Sequence, residues 1–539
     1  MRVFLLLIVV LLFFTNCSGS AGKEKNLKDE SISLSEAILP DAAKTAHLSG
    51  KDLANAYCQA CHALPNPGLL DKATWQNKVL PQMGLRLGLP APNINPFLGK
   101  QPDEIYTLIK AGIYPQKPLI AAKDWQKIVE YYTQAAPEKL TLPTLTKLDT
   151  ILNNFSVIIP DLNKGKPALT TLIKYETQAK ELWVGDLRNW LFRLNQDLQA
   201  VDSVHLQAVP VDLIKNNAGY KVVNIGSILP TDKATGNIYQ VPPTAKEKST
   251  GILLKDLHRP VNIIEADLNQ DKLPDLVVCN YGYNFGSLVV YFNLGKGKYE
   301  PVTLKNLPGA RKAEIKDLNH DGLPDIIALF AQGTETLKVF YNQGNGKFAE
   351  ENLVQFPPVY GTNYFQLVDF NQDGHLDILF ANGDNADYSF IMKPYHGIRI
   401  WLNNGKNKFR QKYFFQMPGA WKAVAHDFDQ DGDLDIAAIS YFPDFERSPE
   451  RGFIYLEQTA QFNFTAATFK QSLLGHWFTL ETADYDQDGD EDIVLGSFTN
   501  ALSPVPPGIR QNWLANGPGI LVLQNKKITK PNQVIFVNK

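Results

Sequence analysis

A nine-residue acidic loop recurs five times between residues 267 and 492, and this repeat constrains the fold more than any other feature of the chain. The loop carries aspartate at its first, fifth and ninth positions and asparagine or aspartate at its third. Its copies begin at residues 267, 317, 369, 427 and 484, so that one copy occurs every 50 to 58 residues. A period of about 40 to 50 residues or slightly more is typical of β-propellers, in which each repeat forms one blade.

Short alternating apolar runs surround each loop and predict the strands of these blades. A strand-like run such as Ile436–Ile439 follows a loop, and a later run such as Val339–Phe348 contains a turn rich in glycine and asparagine, which is typical of a hairpin. Two degenerate units, around residues 182–192 and 222–254, precede the clear ones. The sequence therefore predicts an all-β propeller of seven blades over residues 150–539, closed so that few strand edges are exposed.

The acidic loops have the composition of calcium sites. Oxygens at positions 1, 3, 5 and 9, with a backbone carbonyl at position 7, are the hard ligands that Ca²⁺ prefers. Glycine at position 6 allows a sharp turn in four loops, whereas the first loop has Lys272. The alternative is that aspartate and glycine simply form turns, but five copies at blade spacing favour calcium. The predicted ligands are Asp267, Asn269, Asp271, Asp275, Asp317, Asn319, Asp321, Asp325, Asp369, Asn371, Asp373, Asp377, Asp427, Asp429, Asp431, Asp435, Asp484, Asp486, Asp488 and Asp492.

These loops are not EF-hands, which would place glutamate at position 12. The residues there are apolar in all five copies, namely Val278, Ala328, Phe380, Ala438 and Leu495. Over about residues 258–525 the chain instead resembles the FG-GAP or VCBS repeats of integrin α-chain-like propellers. We expect the cation to stiffen the turn rather than to take part in catalysis. Asp433 and Asp490 add charge to the last two loops, which we expect to bind calcium most tightly.

Residues 1–17 resemble a bacterial lipoprotein signal. Twelve consecutive apolar residues, Val3–Phe14, are too few to span a bilayer and fit the core of a secretory signal. Cys17 follows, and in such signals this cysteine is lipidated. Asn16 departs from the small residue that is usual there, so ordinary cleavage is the alternative. We expect an exported protein of the bacterial cell envelope that meets the membrane only through a lipid anchor, with a polar tether at residues 18–43.

Residues 44–137 show helical periodicity and contain the motif Cys58-Gln59-Ala60-Cys61-His62. Two cysteines at this spacing match the two vinyl groups of a haem, and the following histidine is placed to bind the iron. A zinc site would need a second Cys/His pair, which the sequence lacks, and a thioredoxin-like site would need a βαβ setting. Cys279 lies in an apolar run and is expected to be buried and inert. The motif predicts a small all-α cytochrome c domain with one covalent haem c.

Residues 45–135 are similar to small c-type cytochrome domains of bacterial envelope proteins. Besides the cysteine–histidine motif, the match consists of Leu64-Pro65-Asn66-Pro67, Trp75 and Met83, in the same order.

The resemblance implies a ligand set for the haem. Cys58 and Cys61 hold the haem covalently, His62 is the proximal ligand, and Met83 is the distal ligand. Many larger cytochromes place the methionine just before the final helix, where this chain has none. His47 is therefore the rival for the distal position.

Two sets of surface and channel residues are candidates for ligand binding. In three blades a long insertion comes after the strand that follows the acidic loop, and this common position predicts that the insertions share one face. Their candidate residues are Tyr388, Tyr395, His396, Phe442, Arg447, Arg510 and Trp513. A second set precedes the acidic loops and is expected to point towards the central channel, with Arg259, Arg311, Tyr364, Trp421 and Trp477. The alternative for both sets is packing within the loops and the channel.

The composition and motifs narrow the function. A formal net charge of -3 gives no basic field for nucleic acid, and the sequence has no nucleophile elbow, phosphate loop or dinucleotide fingerprint. The layout resembles bacterial envelope proteins that join a cytochrome c domain to an FG-GAP/VCBS propeller. We expect an electron carrier rather than a catalyst, with a redox partner protein in the envelope and a glycan or protein ligand on the propeller loops. The alternatives are a haem-containing dehydrogenase and an adhesion or glycan-binding module with a haem sensor.

Overall fold

The computed structural model describes residues 45–526, apart from residues 46, 217, 244–250 and 387. The predicted signal segment, Cys17 and the polar tether lie outside the described residues. None of the helices within the described part of the chain is long and apolar enough to cross a membrane.

The N-terminal part of the described chain is helical. Its helices, with one later helix in the last blade, are α1 (Gly50–Cys58), α2 (Lys72–Thr74), α3 (Leu80–Arg86), α4 (Pro102–Lys110), α5 (Ala122–Ala135) and α6 (Pro507–Asn516). A π-helical turn, Trp75–Val79, joins α2 to α3. Proline at the first position of α4 and a capping box between Gln101 and Glu104 fix the start of that helix. Leu53 of α1, Trp75 of the π-helical turn and Ile128 of α5 belong to one apolar core.

The rest of the described chain consists of short strands. The first fourteen are β1 (Phe155–Ile158), β2 (Thr170–Glu176), β3 (Glu181–Asp186), β4 (Trp190–Leu194), β5 (Ala200–His205), β6 (Pro210–Asn216), β7 (Gly219–Asn224), β8 (Gly236–Val241), β9 (Gly251–Leu257), β10 (Pro260–Ala266), β11 (Asp275–Asn280), β12 (Ser287–Asn293), β13 (Tyr299–Lys305) and β14 (Ala310–Lys316). The others are β15 (Asp325–Phe330), β16 (Thr336–Asn342), β17 (Phe348–Gln355), β18 (Thr362–Val368), β19 (Asp377–Asn382), β20 (Gly397–Asn403), β21 (Phe409–Gln416), β22 (Ala420–His426), β23 (Asp435–Ser440), β24 (Phe453–Ala460), β25 (Asn463–Ala467), β26 (Trp477–Ala483), β27 (Asp492–Ser497) and β28 (Ile520–Asn525). Short 3₁₀ turns lie at Pro67–Leu69, Pro449–Gly452 and Lys470–Leu474.

These strands form seven four-stranded antiparallel sheets, which confirms the predicted seven-bladed all-β propeller. Blades 1 to 6 each use four consecutive strands, from β2–β5 for blade 1 to β22–β25 for blade 6. The two degenerate units of the sequence are blades 1 and 2, and the five acidic loops belong to blades 3 to 7. Each acidic loop joins the innermost strand of its blade to the second strand.

Blade 7 is completed by a strand from the start of the propeller. Its sheet has the order β1-β28-β27-β26, and β1 pairs antiparallel with β28 from Phe155 opposite Asn525 to Ile158 opposite Val522. The first strand of the propeller thereby closes the ring on the last, which removes two exposed edges at once.

Burial changes from the inside of each blade to the outside. The second strand is buried at every position in blades 3 to 7, namely in β11, β15, β19, β23 and β27. The outer strands alternate or are largely exposed, as in β5 and β13. Neighbouring blades cover both faces of the second strands, and this explains their continuous apolar sequences.

The innermost strand of every blade carries a β-bulge near its start. A bulge changes the direction in which the side chain of the extra residue points. In blades 4 and 6 the extra residues are Arg311 and Trp421, and the guanidinium carbon of Arg311 lies 5.2 Å from the ring centroid of Trp421. Because these blades are not neighbours, the contact crosses the channel, as expected for this set of residues.

The sixth position of each acidic loop requires a left-handed backbone. Gly322 has a φ of 85°, and the lysine at the matching position of the first loop, Lys272, is held at 70°. A β-carbon built on Gly322 would meet nothing within 4 Å. The glycine is therefore needed for its backbone conformation and not for space.

We predict that Gly322→Ala lowers the free energy of unfolding by about 1 kcal/mol, because an L-residue in the left-handed region is strained. Gly508→Ala is the matched control, since that helical glycine also has open space around it and no positive φ. It should leave stability unchanged or raise it by about 0.5 kcal/mol. Denaturant unfolding in the presence of a chelator measures both, and equal effects would contradict the backbone explanation.

Candidate functional site

Each acidic loop is folded by hydrogen bonds from its own backbone N–H groups to its own side-chain oxygens. In blade 4 the carboxylate of Asp317 accepts from the backbone N–H groups of Asp321 (3.1 Å) and Gly322 (2.9 Å), and Oδ1 of Asn319 accepts from Asp321 at 3.1 Å. The same three bonds recur in the loops of blades 3, 5 and 6. The side chains at positions 1, 3 and 5 therefore converge on one centre before any ion binds.

Acidic side chains lie closest together in the last two loops. Among the described residues, two groups of three have ligand oxygens within 4.8 Å of one another, and these are Asp427, Asp429 and Asp431 in blade 6 and Asp484, Asp486 and Asp492 in blade 7. Such groups repel one another unless a cation or protons neutralise them. The sequence singled out these two loops by their extra charge.

The loop of blade 7 contains buried carboxylate oxygens without donors. Both oxygens of Asp490 and Oδ1 of Asp484 are buried and accept no hydrogen bond from the described residues. Burial raises the pKa of Asp490 to about 6 and that of Asp492 to about 8. A buried carboxylate without a partner is costly, and a bound divalent cation would reverse these shifts.

The aspartate at position 9 also has a structural role that the sequence did not indicate. In blade 4, Asp325 accepts from the N–H of Leu318 (2.9 Å) and from the N–H of Asn342 (2.8 Å), one at each carboxylate oxygen. Blades 3, 5 and 7 repeat this pair of bonds. In blade 6 the hydroxyl of Tyr455 replaces the first donor to Asp435. The signal that could have revealed this role is the asparagine that ends the third strand in four of these blades.

The two cysteines of the helical part lie at the end of α1. Cys58 is its last residue, and the backbone N–H of Cys61 is 3.5 Å from the carbonyl oxygen of Cys58. Neither thiol forms a disulfide in the structure. Burial raises the pKa of Cys58 to about 12 and also raises that of Cys61. Redox-active Cys-x-x-Cys pairs need lowered thiol pKa values, so this environment disfavours a thioredoxin-like role.

His62 is oriented by its own backbone. Its Nδ1 lies 2.9 Å from the carbonyl oxygen of Ala63, which fixes the tautomer with the proton on Nδ1 and leaves Nε2 free to bind a metal. Burial lowers the pKa of this imidazole, and this keeps the neutral, ligating form at neutral pH. The donor set of two thiols and one oriented imidazole fits a covalently bound haem.

The segment after His62 is anchored to the helical core by two hydrogen bonds. The indole of Trp75 donates to the carbonyl oxygen of Pro67 (2.8 Å), and the hydroxyl of Tyr132 donates to that of Pro65 (2.9 Å). These contacts explain why the proline-rich segment and the tryptophan occur together in the sequence.

The two candidates for the distal ligand differ in position. Met83 is half-buried in α3, and Arg86, one turn further along the same helix, is close enough to oppose the raised pKa of Cys61. His47 is exposed and precedes α1, whose nine residues span about 13 Å, whereas the haem motif begins at its other end. These positions favour Met83.

The helical part packs against the face of the propeller opposite the acidic loops. The hydroxyl of Tyr395, in the insertion of blade 5, donates to the carbonyl oxygen of Leu69 at 2.8 Å. Ile391 of the same insertion and Val359 before blade 5 contact the helical core. An ion pair of 3.7 Å joins Lys233 of blade 2 to Glu104 of α4.

Three of the seven side chains predicted to form a ligand face on the insertions instead pack inside them. Phe442 and His396 are buried, and Trp513 stacks on the buried His476 at 4.6 Å between ring centroids. Arg447 pairs with Asp444 but is itself exposed. The remaining candidates are placed differently: Tyr388 is 39% exposed, Arg510 is exposed, and Tyr395 contacts the helical part.

The channel residues also have internal partners. Lys312 pairs with Glu314 at 2.8 Å and lies 4.0 Å from the ring centroid of Tyr364. Arg259 donates to the carbonyl oxygen of Gly282 (2.6 Å), and Trp477 is fully buried. A cavity of about 640 Å³ remains, and the acidic-loop residue Pro274 is among those that line it.

Comparison with known proteins agrees with the loop geometry. The FG-GAP-like repeat family matches residues 267–328, 317–380 and 381–438, which run from the acidic loop of blade 3 to the second strand of blade 6. The T-cell immunomodulatory protein homolog of Plasmodium falciparum is 29% identical over 137 residues, which is 23% of this chain and 18% of that protein. Cartilage acidic protein 1 of Xenopus tropicalis is 26% identical over 234 residues, which is 39% of this chain and 33% of that protein. Both matches thus span a third or less of these relatives.

The solved structures that match this chain have low sequence identity and low TM-scores. Sqt1 of Saccharomyces cerevisiae has 9% identity and a TM-score of 0.41, with 70% of this chain and 99% of that chain covered. The sequence match and the strand order together lead to one conclusion: the chain contains FG-GAP-like repeats within a seven-bladed propeller, as the resemblance of its loops predicted.

Proposed function

We propose that this chain is an electron-transfer protein of the bacterial cell envelope, with one covalent haem c on its helical part and calcium in its propeller loops. The observation that carries the proposal is the group Cys58, Cys61 and His62: two unbridged thiols at the end of one helix, followed by an imidazole whose Nδ1 is held by a backbone carbonyl. When bound, the haem supplies one-electron chemistry, and these residues attach it and orient it.

Calcium is proposed as the stiffening ion of the acidic loops. The support is the convergence of three carboxylates within 4.8 Å in blades 6 and 7 and the buried, donor-free oxygens of Asp490. The ligand chemistry, oxygen atoms alone, suits a hard divalent cation.

An electron carrier is favoured over the dehydrogenase alternative, because haem attachment is the only chemistry that the residues specify. The propeller cavity is lined mainly by residues of the inner strands of blades 1 to 4, such as Lys174, Asn262 and Lys312. We propose that the propeller docks a protein or glycan partner, and that Cys17 anchors the chain by lipid near a redox partner.

We predict that the full chain, produced in a host that attaches haem c, retains haem on a denaturing gel. The double variant Cys58→Ala/Cys61→Ala should lose all covalent haem, because both thioethers are removed. Cys279→Ala is the matched control, since it removes a buried thiol far from the motif and should keep the haem. A wild-type protein without covalent haem would contradict the proposal.

Met83→Ala is expected to remove the long-wavelength absorption band of methionine–iron ligation and to lower the reduction potential, since a His/Met pair raises it. His47→Ala should change neither property. If the band survives in Met83→Ala and is lost in His47→Ala, the assignment of the distal ligand is wrong.

Calcium at about 100 times its dissociation constant should stabilise the propeller by about 2.7 kcal/mol for each site. Asp484→Asn should remove the share contributed by blade 7, and the matched change Asp267→Asn, at the same position of a loop outside the two close acidic groups of the described residues, should remove less. Thermal unfolding with calcium or chelator measures this effect. Identical unfolding curves under the two conditions would rule out a stabilising ion.

The calcium effect should grow with pH. Burial raises the pKa of Asp435 to about 7 and that of Asp492 to about 8, against about 3.9 for a free aspartate. The metal-free folded state thus holds protons that the unfolded chain has released, and it loses stability as pH rises through these values. Calcium competes with the protons, so its stabilisation should be larger at about pH 9 than at about pH 6. A constant increment would show that these carboxyls do not bind the ion.

A further inference from the structure

A buried polar link connects α3 of the helical part to two blades of the propeller. The guanidinium of Arg86, at the end of α3, donates to Oδ1 of Asn284 in blade 3 at 2.7 Å. Asn284 is itself fixed, because its backbone N–H and its side-chain amide both donate to Asp232 of blade 2, each at 2.7 Å. Asp232 in turn lies 3.6 Å from the ammonium group of Lys100 in the helical part.

Burial strengthens the hydrogen bonds of this link. Asn284 and Asp232 are 7% and 9% exposed, so their hydrogen bonds compete little with water. On its other side, the guanidinium of Arg86 packs 4.9 Å from the ring centroid of Tyr114. Arg86 is therefore held between an aromatic ring of its own domain and an amide of the propeller.

Arg86 also lies next to the proposed haem site. It follows Met83 by three residues on the same helix, so the two side chains share a face. Arg86 thus carries a permanent positive charge near the proposed distal ligand.

We propose that the propeller sets the reduction potential of the haem by holding Arg86 in place through Asn284 and Asp232. The inference rests on the proposed haem function and deepens it. A fixed positive charge near the iron favours the reduced state, which carries one positive charge less, and therefore raises the potential. Asn284 and Asp232 are positioning residues in this account, since they act on the potential only by holding Arg86.

The test is the midpoint potential of the full-length haem protein, measured by spectroelectrochemical titration. Arg86→Gln should lower the potential, since the charge is lost. Asn284→Ala should lower it by a smaller amount, because the guanidinium is released but stays charged. Combining the two changes should give no further fall beyond Arg86→Gln. Tyr395→Phe is the matched control, since it removes another hydrogen bond between the same two parts and should leave the potential unchanged.

Arg86→Lys keeps the charge without the planar fork, so its potential should lie between those of the wild type and Arg86→Gln. The comparison of Arg86→Gln and Arg86→Lys with the wild type tests the effect of Arg86 on the potential even if Asn284→Ala does not fold. The inference is overturned if Arg86→Gln matches the wild type, if a folded Asn284→Ala matches the wild type, or if Tyr395→Phe lowers the potential as much as Asn284→Ala. A wild-type protein without haem would overturn the proposed function and this inference together, whereas normal haem with unchanged potentials overturns the inference alone.

Discussion

Within each of blades 3 to 7, one buried carboxylate joins the acidic loop to the strands of that blade. The aspartate at position 9 begins the second strand, accepts from a backbone N–H at the end of the third strand and, in four blades, from the second residue of its own loop. Asp325 shows the arrangement in blade 4, with bonds to Leu318 and Asn342. Because this carboxylate is fully buried, its hydrogen bonds are strong and their loss is costly. The loop, the inner strands and the hairpin therefore depend on one side chain.

The ring and the helical part are fixed by the same stretch of chain. Between α5 and β1, the backbone N–H of Asp149 donates to the carbonyl oxygen of Ala466 (3.2 Å), and Thr468 donates to that of Asp149 (2.8 Å). Arg451, also near blade 6, donates to the carbonyl oxygen of Thr146. The connection thus lies along blade 6 immediately before β1 closes blade 7. The helical part is therefore held at this connection, at Tyr395 and at the link from Arg86 to Asn284.

The sequence predicted what depends on local pattern and missed what depends on distant contacts. Five loops at blade spacing and two degenerate units gave seven blades, because period and strand alternation are local properties. The closing strand was missed because Phe155 and Asn525 are far apart in sequence, although within the described residues no strand follows Ile520–Asn525 to complete the last blade. The aspartates at position 9 were assigned to calcium alone, since no single loop reveals that a strand end donates to them. The link from Arg86 to Asn284 has no sequence signal at all.

The two faces of the propeller have different physical tasks, and this division explains how the parts of the molecule work together. On one face, acidic loops with left-handed turns at positions such as Gly322 accumulate negative charge that a cation or bound protons can neutralise. On the other face, the insertion of blade 5 receives the helical part through Ile391 and Tyr395. The buried second strands connect the faces, and close-packed strands transmit position with little compression. Rigidity at the acidic face therefore supports precise placement at the opposite face, where a guanidinium such as that of Arg86 must be held to within the length of a hydrogen bond.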